Sequence, residues 1–206
     1  MGKRLVALVA LAVCLSTPSV AQANGDPASD YLLTQNSFLP FTTKIDQTSV
    51  KRLNALLVAA KAKAFPIRVA VILSPSDLGT AFSLFGQPEK YVRFLGLELS
   101  FVYRGRLLVV MPSGYGFAVK GDPDPKANAV LTKLSPPGRD ATKEVEAAIV
   151  AVQKLAAAEG RHLAVPKVSG GSSSRDRLTI AAAATAGIAL IAAIVLYRRR
   201  DRPAGD

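Results

Sequence analysis

Two stretches decide the fold, Ile67-Arg68-Val69-Ala70-Val71-Ile72-Leu73 and Arg106-Leu107-Leu108-Val109-Val110-Met111. Each is short, rich in β-branched residues and almost continuously apolar, which suits a strand covered on both faces. Ser74-Pro75-Ser76-Asp77 breaks the first stretch and Pro112 stops the second. Before the first strand, Asp46 to Ala64 carries Val50, Leu53, Leu57, Ala60 and Ala64 at spacings of three and four, an amphipathic helix with Asp46, Thr48 or Ser49 as N-cap.

Between the strands, Asp77 to Leu99 reads as a short helical turn, an interruption at Gly86-Gln87-Pro88, and a longer helix carrying Tyr91, Phe94, Leu95 and Leu99. Phe101 to Arg104 has strand composition, and Tyr115 to Lys120 reads as an edge strand entered through a tight turn at Ser113-Gly114. Asp140 to Glu159 is a second long helix, with Val145, Ala148, Ile149, Val152 and Leu155 on one stripe and Gly160 to close it. The order of elements predicts an α/β fold, a small mixed sheet flanked by helices in a layer sandwich. Tyr31 to Phe41 is open between a short helix and an arm laid on the core.

The ends of the chain carry targeting information. Lys3 and Arg4, the apolar run Leu5 to Leu15 and Ala21-Gln22-Ala23 form a signal-peptide pattern over residues 1–23, with cleavage after Ala23. Lipidation of Cys14 is the alternative processing. Leu178 to Tyr197 is a 20-residue run without charge, long enough to span a bilayer as one transmembrane helix. Arg198, Arg199, Arg200 and Arg202 follow it and, by the positive-inside rule, place residues 198–206 in the cytoplasm. Residues 24–45 form an N-terminal arm, 46–167 an exported α/β domain, and 168–177 a Gly/Ser tether. The expected protein is single-pass in the cell membrane, with an extracytoplasmic head.

The formal charge of +11 on 206 residues invites a nucleic-acid reading. Its distribution argues against one. Lys3 and Arg4 contribute +2, the tail contributes +2, and residues 24–177 carry +7 from 20 cations against 13 acids, without a dense basic run. The expected partners are membrane lipid, through Leu178 to Tyr197, and an envelope or membrane protein.

Ligands in open α/β sheets favour the crevice beyond the carboxyl ends of the strands. Parallel pairing of the two strands would bring Ser74, Ser76, Asp77, Ser113 and Tyr115 to one rim, as candidate ligand-binding residues. The plainer role of Ser76 and Asp77 is to cap a helix. Asp122 and Asp124 are candidates for a hard cation such as calcium, but they lack the ligand spacing of an EF-hand, so no cofactor is expected. Glu144 and Glu146 are two apart on a helix and do not face each other. With one Cys and one His, a zinc site or a Cys/His catalytic pair has too few residues to draw on, and no catalytic residue is assigned.

Leu53 to Gly121 resembles the TPM domain family: a helix feeding Ile67 to Leu73, a helix with Tyr91 and Phe94, then Gly105-Arg106-Leu107-Leu108-Val109-Val110 and a hairpin reaching Gly121. Such domains are exported or face a lumen, often held by one C-terminal helix, and are described as phosphatase-like, metal-binding or accessory to membrane complexes. Where members often carry an acidic Asp-Asn-Gly approach to the second strand, this chain has Tyr103-Arg104-Gly105-Arg106. The resemblance therefore implies fold and topology more than activity. The expected function is an interaction or accessory module for an envelope partner; the alternative is a metal-dependent phosphatase-like hydrolase.

Overall fold

The computed structural model describes residues 25–166. The expected signal peptide, Gly/Ser tether, transmembrane helix Leu178 to Tyr197 and cytoplasmic tail lie outside the described residues. No helix among the described residues is long and apolar enough to cross a membrane.

The described chain is α/β, with helices on both faces of a five-stranded mixed sheet. In chain order it runs α1 (Pro27–Leu32), β1 (Ser37–Phe38), α2 (Gln47–Ala62), β2 (Ile67–Val71), a 3-10 segment (Pro75–Leu84), α3 (Pro88–Glu98), β3 (Arg106–Met111), β4 (Gly114–Val119), β5 (Asp122–Pro123), α4 (Pro125–Leu131) and α5 (Ala141–Ala158). The strands lie in sequence order across the sheet. β1, β2 and β3 are parallel, with Val69 opposite Leu108 and Val71 opposite Val110. β4 and β5 return antiparallel, with Leu108 opposite Phe117 and Val119 opposite Asp122.

Strand alternation sends two sets of side chains to opposite faces. Val69, Val71, Leu108, Val110 and Phe117 meet Leu53, Leu57 and Ala60 of α2 and Val145, Ile149 and Val152 of α5. Ala70, Ile72, Leu107, Val109 and Met111 meet Tyr91, Val92 and Leu95 of α3, with Ala28 and Leu32 of α1. This two-sided burial is why both central strands are apolar at nearly every position. Caps start the long helices: Asp46 accepts the Ser49 N–H at 2.8 Å and Asp140 accepts the Lys143 N–H at 2.8 Å.

The crossover through α2 and the crossover through α3 advance the same way across the sheet, yet their helices lie on opposite faces. They therefore have opposite hands, and one departs from the right-handed rule for parallel connections.

Several expectations are revised. Phe101 to Arg104 is not a strand: the N–H groups of Val102 and Tyr103 both return to the Leu99 carbonyl, so the chain turns out of α3. The strand after the tight turn is not an edge, because Asp122 and Pro123 pair along its outer side. The arm supplies both a short helix and the opposite edge strand β1. α4, absent from the sequence reading, is started by Asp124, whose carboxylate accepts the N–H groups of Lys126 and Ala127.

Candidate functional site

Because β2 and β3 are parallel, their carboxyl ends share one rim, and the residues singled out there fall into two groups. Ser74, Ser76 and Asp77 form a closed knot. Asp77 is buried, and its Oδ2 accepts the N–H of Leu73 at 3.0 Å, the N–H of Ser74 at 2.8 Å and the Ser74 hydroxyl at 3.0 Å. The Ser74 and Ser76 hydroxyls are 2.8 Å apart. This network satisfies the backbone where the strand ends, which is the capping role.

Ser113 and Tyr115 instead line a cleft of about 450 Å3 between the start of α3 and α4. Gln87, Glu89, Lys90, Asn128, Leu131, Thr132 and Leu134 are among the other residues of its wall. The hairpin can approach α3 because β4 has Gly116, where a Cβ would run into the Pro88 carbonyl. Ser113 donates to the Gly86 carbonyl at 3.1 Å and Tyr115 to the Ser135 carbonyl at 3.0 Å, so both hydroxyls hold the walls in place. Asn128 behaves as an extra strand residue: its amide accepts the Phe117 N–H at 3.1 Å and donates to the Phe117 carbonyl at 3.3 Å. Lys90 and Thr132 are exposed at the mouth.

Two further buried acids, besides Asp77, flank this end of the sheet. Asp26 accepts the Tyr91 hydroxyl at 2.6 Å and the Ser29 N–H at 3.1 Å. Burial raises its pKa to about 6, against the lowering effect of those bonds, and burial also pushes the Tyr91 hydroxyl up. Glu144, in the first turn of α5, is fully buried and both carboxylate oxygens lack a hydrogen-bond partner. Burial first, then the nearby Asp77 and Asp140 charges, raises its pKa to about 8. At neutral pH Glu144 is therefore mostly the neutral acid. Its burial was legible in the stripe, since it stands four residues before Ala148 and next to Val145.

Among the described residues no group of three or more His, Cys, Asp or Glu side chains is placed to hold a metal ion. Asp122 lies in β5 and Asp124 caps α4, each engaged in local structure. His162, the single histidine, has its carbonyl bound by the Lys63 Nζ at 3.1 Å, beside the start of β2 and away from the cleft. The cleft thus combines the hydroxyls of Ser113, Tyr115 and Thr132, the amides of Gln87 and Asn128, the charged residues Glu89 and Lys90, and an apolar wall that includes Leu131 and Leu134. Comparison with protein families, with curated proteins and with solved structures finds no match.

Proposed function

We propose that the chain is a membrane-anchored exported protein whose TPM-like head is an interaction module, with the cleft between α3, the β3–β4 hairpin and α4 as the seat for a segment of an envelope partner. The observation that carries the reading is the chemistry of that cleft: mixed polarity, hydroxyls already committed to wall carbonyls, and an exposed Lys90 and Thr132 at the mouth. The TPM-like part is supported by the helix–strand–helix–strand–hairpin order across Leu53 to Gly121.

Site-specific photocrosslinking in native membranes tests it. A crosslinker at Thr132 of the full chain should capture a discrete partner, and Lys90→Glu should abolish that band. Capture equal to that from a crosslinker at Phe82, outside the cleft, would overturn the reading. The phosphohydrolase alternative draws on Asp77, whose Oδ2 already accepts three hydrogen bonds. Phosphomonoester hydrolysis with calcium, magnesium or manganese, lost in Asp77→Ala, would displace the binding reading.

A further inference from the structure

The opposite pole of the head, where β2 and β3 begin, has a different surface. Within six residues after the middle of α3, three apolar side chains face solvent: Leu97 is 69% exposed, Val102 62% and Phe101 95%. The described residues leave them largely uncovered, and exposure of this degree at neighbouring large apolar residues marks a surface that contacts something else. The turn presenting them is held rigidly. Val102 and Tyr103 donate to the Leu99 carbonyl at 2.9 and 2.8 Å, and the Tyr103 hydroxyl donates to the Arg106 carbonyl at 3.0 Å, under the Arg68 guanidinium.

Cations lie at the same pole as this wedge. Arg104 is exposed and tied by its Nε to the Ser100 carbonyl at 3.0 Å, and exposed Lys120 is joined to the same loop by its N–H to the Gly105 carbonyl at 3.2 Å. Lys63 is at this pole too, beside Arg161. The counter-charges are Glu98, Asp122 and Glu159, and Glu159 is taken by Arg106. The pole is also where the chain leaves α5: the Lys63 Nζ donates to the His162 carbonyl and Arg161 donates to the Lys63 carbonyl at 2.8 Å. From there the sequence runs on to the uncharged stretch Leu178 to Tyr197.

We infer that this pole docks on an anionic lipid surface, with Phe101, Val102 and Leu97 entering the interface and Arg104, Lys120 and Lys63 lying over lipid phosphates. An exposed aromatic and aliphatic wedge with exposed cations on the same loop and pole is the chemistry that interfacial binding requires. The inference rests on the membrane-anchored reading above and deepens it, because it fixes which end of the head meets the bilayer and turns the cleft away from it.

The natural chain has no Trp, so Phe101→Trp in the full chain, reconstituted in vesicles of phosphatidylcholine and phosphatidylglycerol, supplies a single reporter. Co-flotation of protein with vesicles reads the anchor separately. With the anchor inserted, the Phe101→Trp indole should emit to the blue of its position in detergent-free buffer and be quenched by brominated acyl chains. Phe82→Trp, also exposed but on the 3-10 segment, should be neither shifted nor quenched. Replacing Arg104 and Lys120 together by Gln should lower the ratio of docked to free heads about 30-fold, from the usual contribution of a basic residue near an anionic surface. Chains that float but leave the Phe101→Trp indole in water overturn the docking and leave the anchor standing. Chains that do not float remove the anchored reading itself. A blue shift seen only in native membranes, and absent on synthetic lipid, would make the occupant a protein and overturn the lipid assignment.

Discussion

Beneath the helices on the two faces of the sheet lie the buried carboxyl groups of Asp26 and Glu144, and the two faces treat them in opposite ways. On the face covered by α1 and α3, Asp26 caps α1 and accepts a short bond from Tyr91, so both of its oxygens have a partner. On the face covered by α2 and α5, Glu144 has none. One acid joins two helices together, and the other is an isolated polar group inside an apolar layer. A buried acid without partners avoids most of its cost by keeping its proton, whereas a partnered one can hold charge closer to neutral pH.

The largest effect expected from breaking this contrast is a pH dependence of stability. The unfolded Glu144 side chain releases its proton near 4.5 and the folded one near 8. Between these values the unfolded state binds fewer protons, so raising the pH favours unfolding, by an upper limit of roughly 5 kcal/mol. Chemical denaturation of Glu144→Gln should lose that slope and show the greatest gain over the natural protein at pH 8 to 9, with little difference near pH 4. Asp26 contributes a slope of the same sign between 3.8 and about 6, which Glu144→Gln leaves in place.

Tyr91→Phe removes one of the two partners of Asp26, leaving the Ser29 N–H, and narrows the difference between the faces. It should cost about 1–3 kcal/mol, the penalty of an unsatisfied buried acceptor, and shift the Asp26 slope to higher pH. Gly96→Ala tests the packing around the partnered face. A Cβ there would meet the Gly121 backbone and push α3 off the β4–β5 turn, with about 1–2 kcal/mol lost in thermal or denaturant unfolding. The smallest change is expected from Arg52→Ala, which deletes a 2.9 Å ion pair to Glu146 across α2 and α5. Both side chains are more than one-third exposed, so the loss should stay below about 1 kcal/mol and shrink in salt.

The elements legible in the sequence are those whose own period or composition suffices. β2, β3, α2 and α5 have continuous apolar runs or a stripe at helical spacing, and all four are present near the expected limits. The two-residue strands β1 and β5 have no period to detect; neighbouring strands and caps make them. Phe101-Val102-Tyr103 has strand composition, yet the C-terminal turn of α3 claims its N–H groups.

For the site, the loop after the second strand pointed to Ser113 and Tyr115, but Asn128 lies in α4, a helix brought against β4 by tertiary contact alone, and Thr132 caps its C-terminus. Asp77 performs the local task its position beside Ser74 favoured. The exposed wedge was hidden for a simple reason: exposure is a property of the folded surface, and Phe101 and Val102 have the same composition whether covered or bare.

The clasp of Arg161 and His162 on Lys63 has a further consequence, in reach. Beyond Pro166, the segment to Leu178 cannot extend past roughly 40 Å even when fully stretched. Were residues 178–197 to lie in a bilayer, a surface tethered within that reach would have a local concentration relative to the lipid in the millimolar range. A wedge with only millimolar affinity for lipid would then be occupied for much of the time, so a few side chains are enough to orient the head without holding it down.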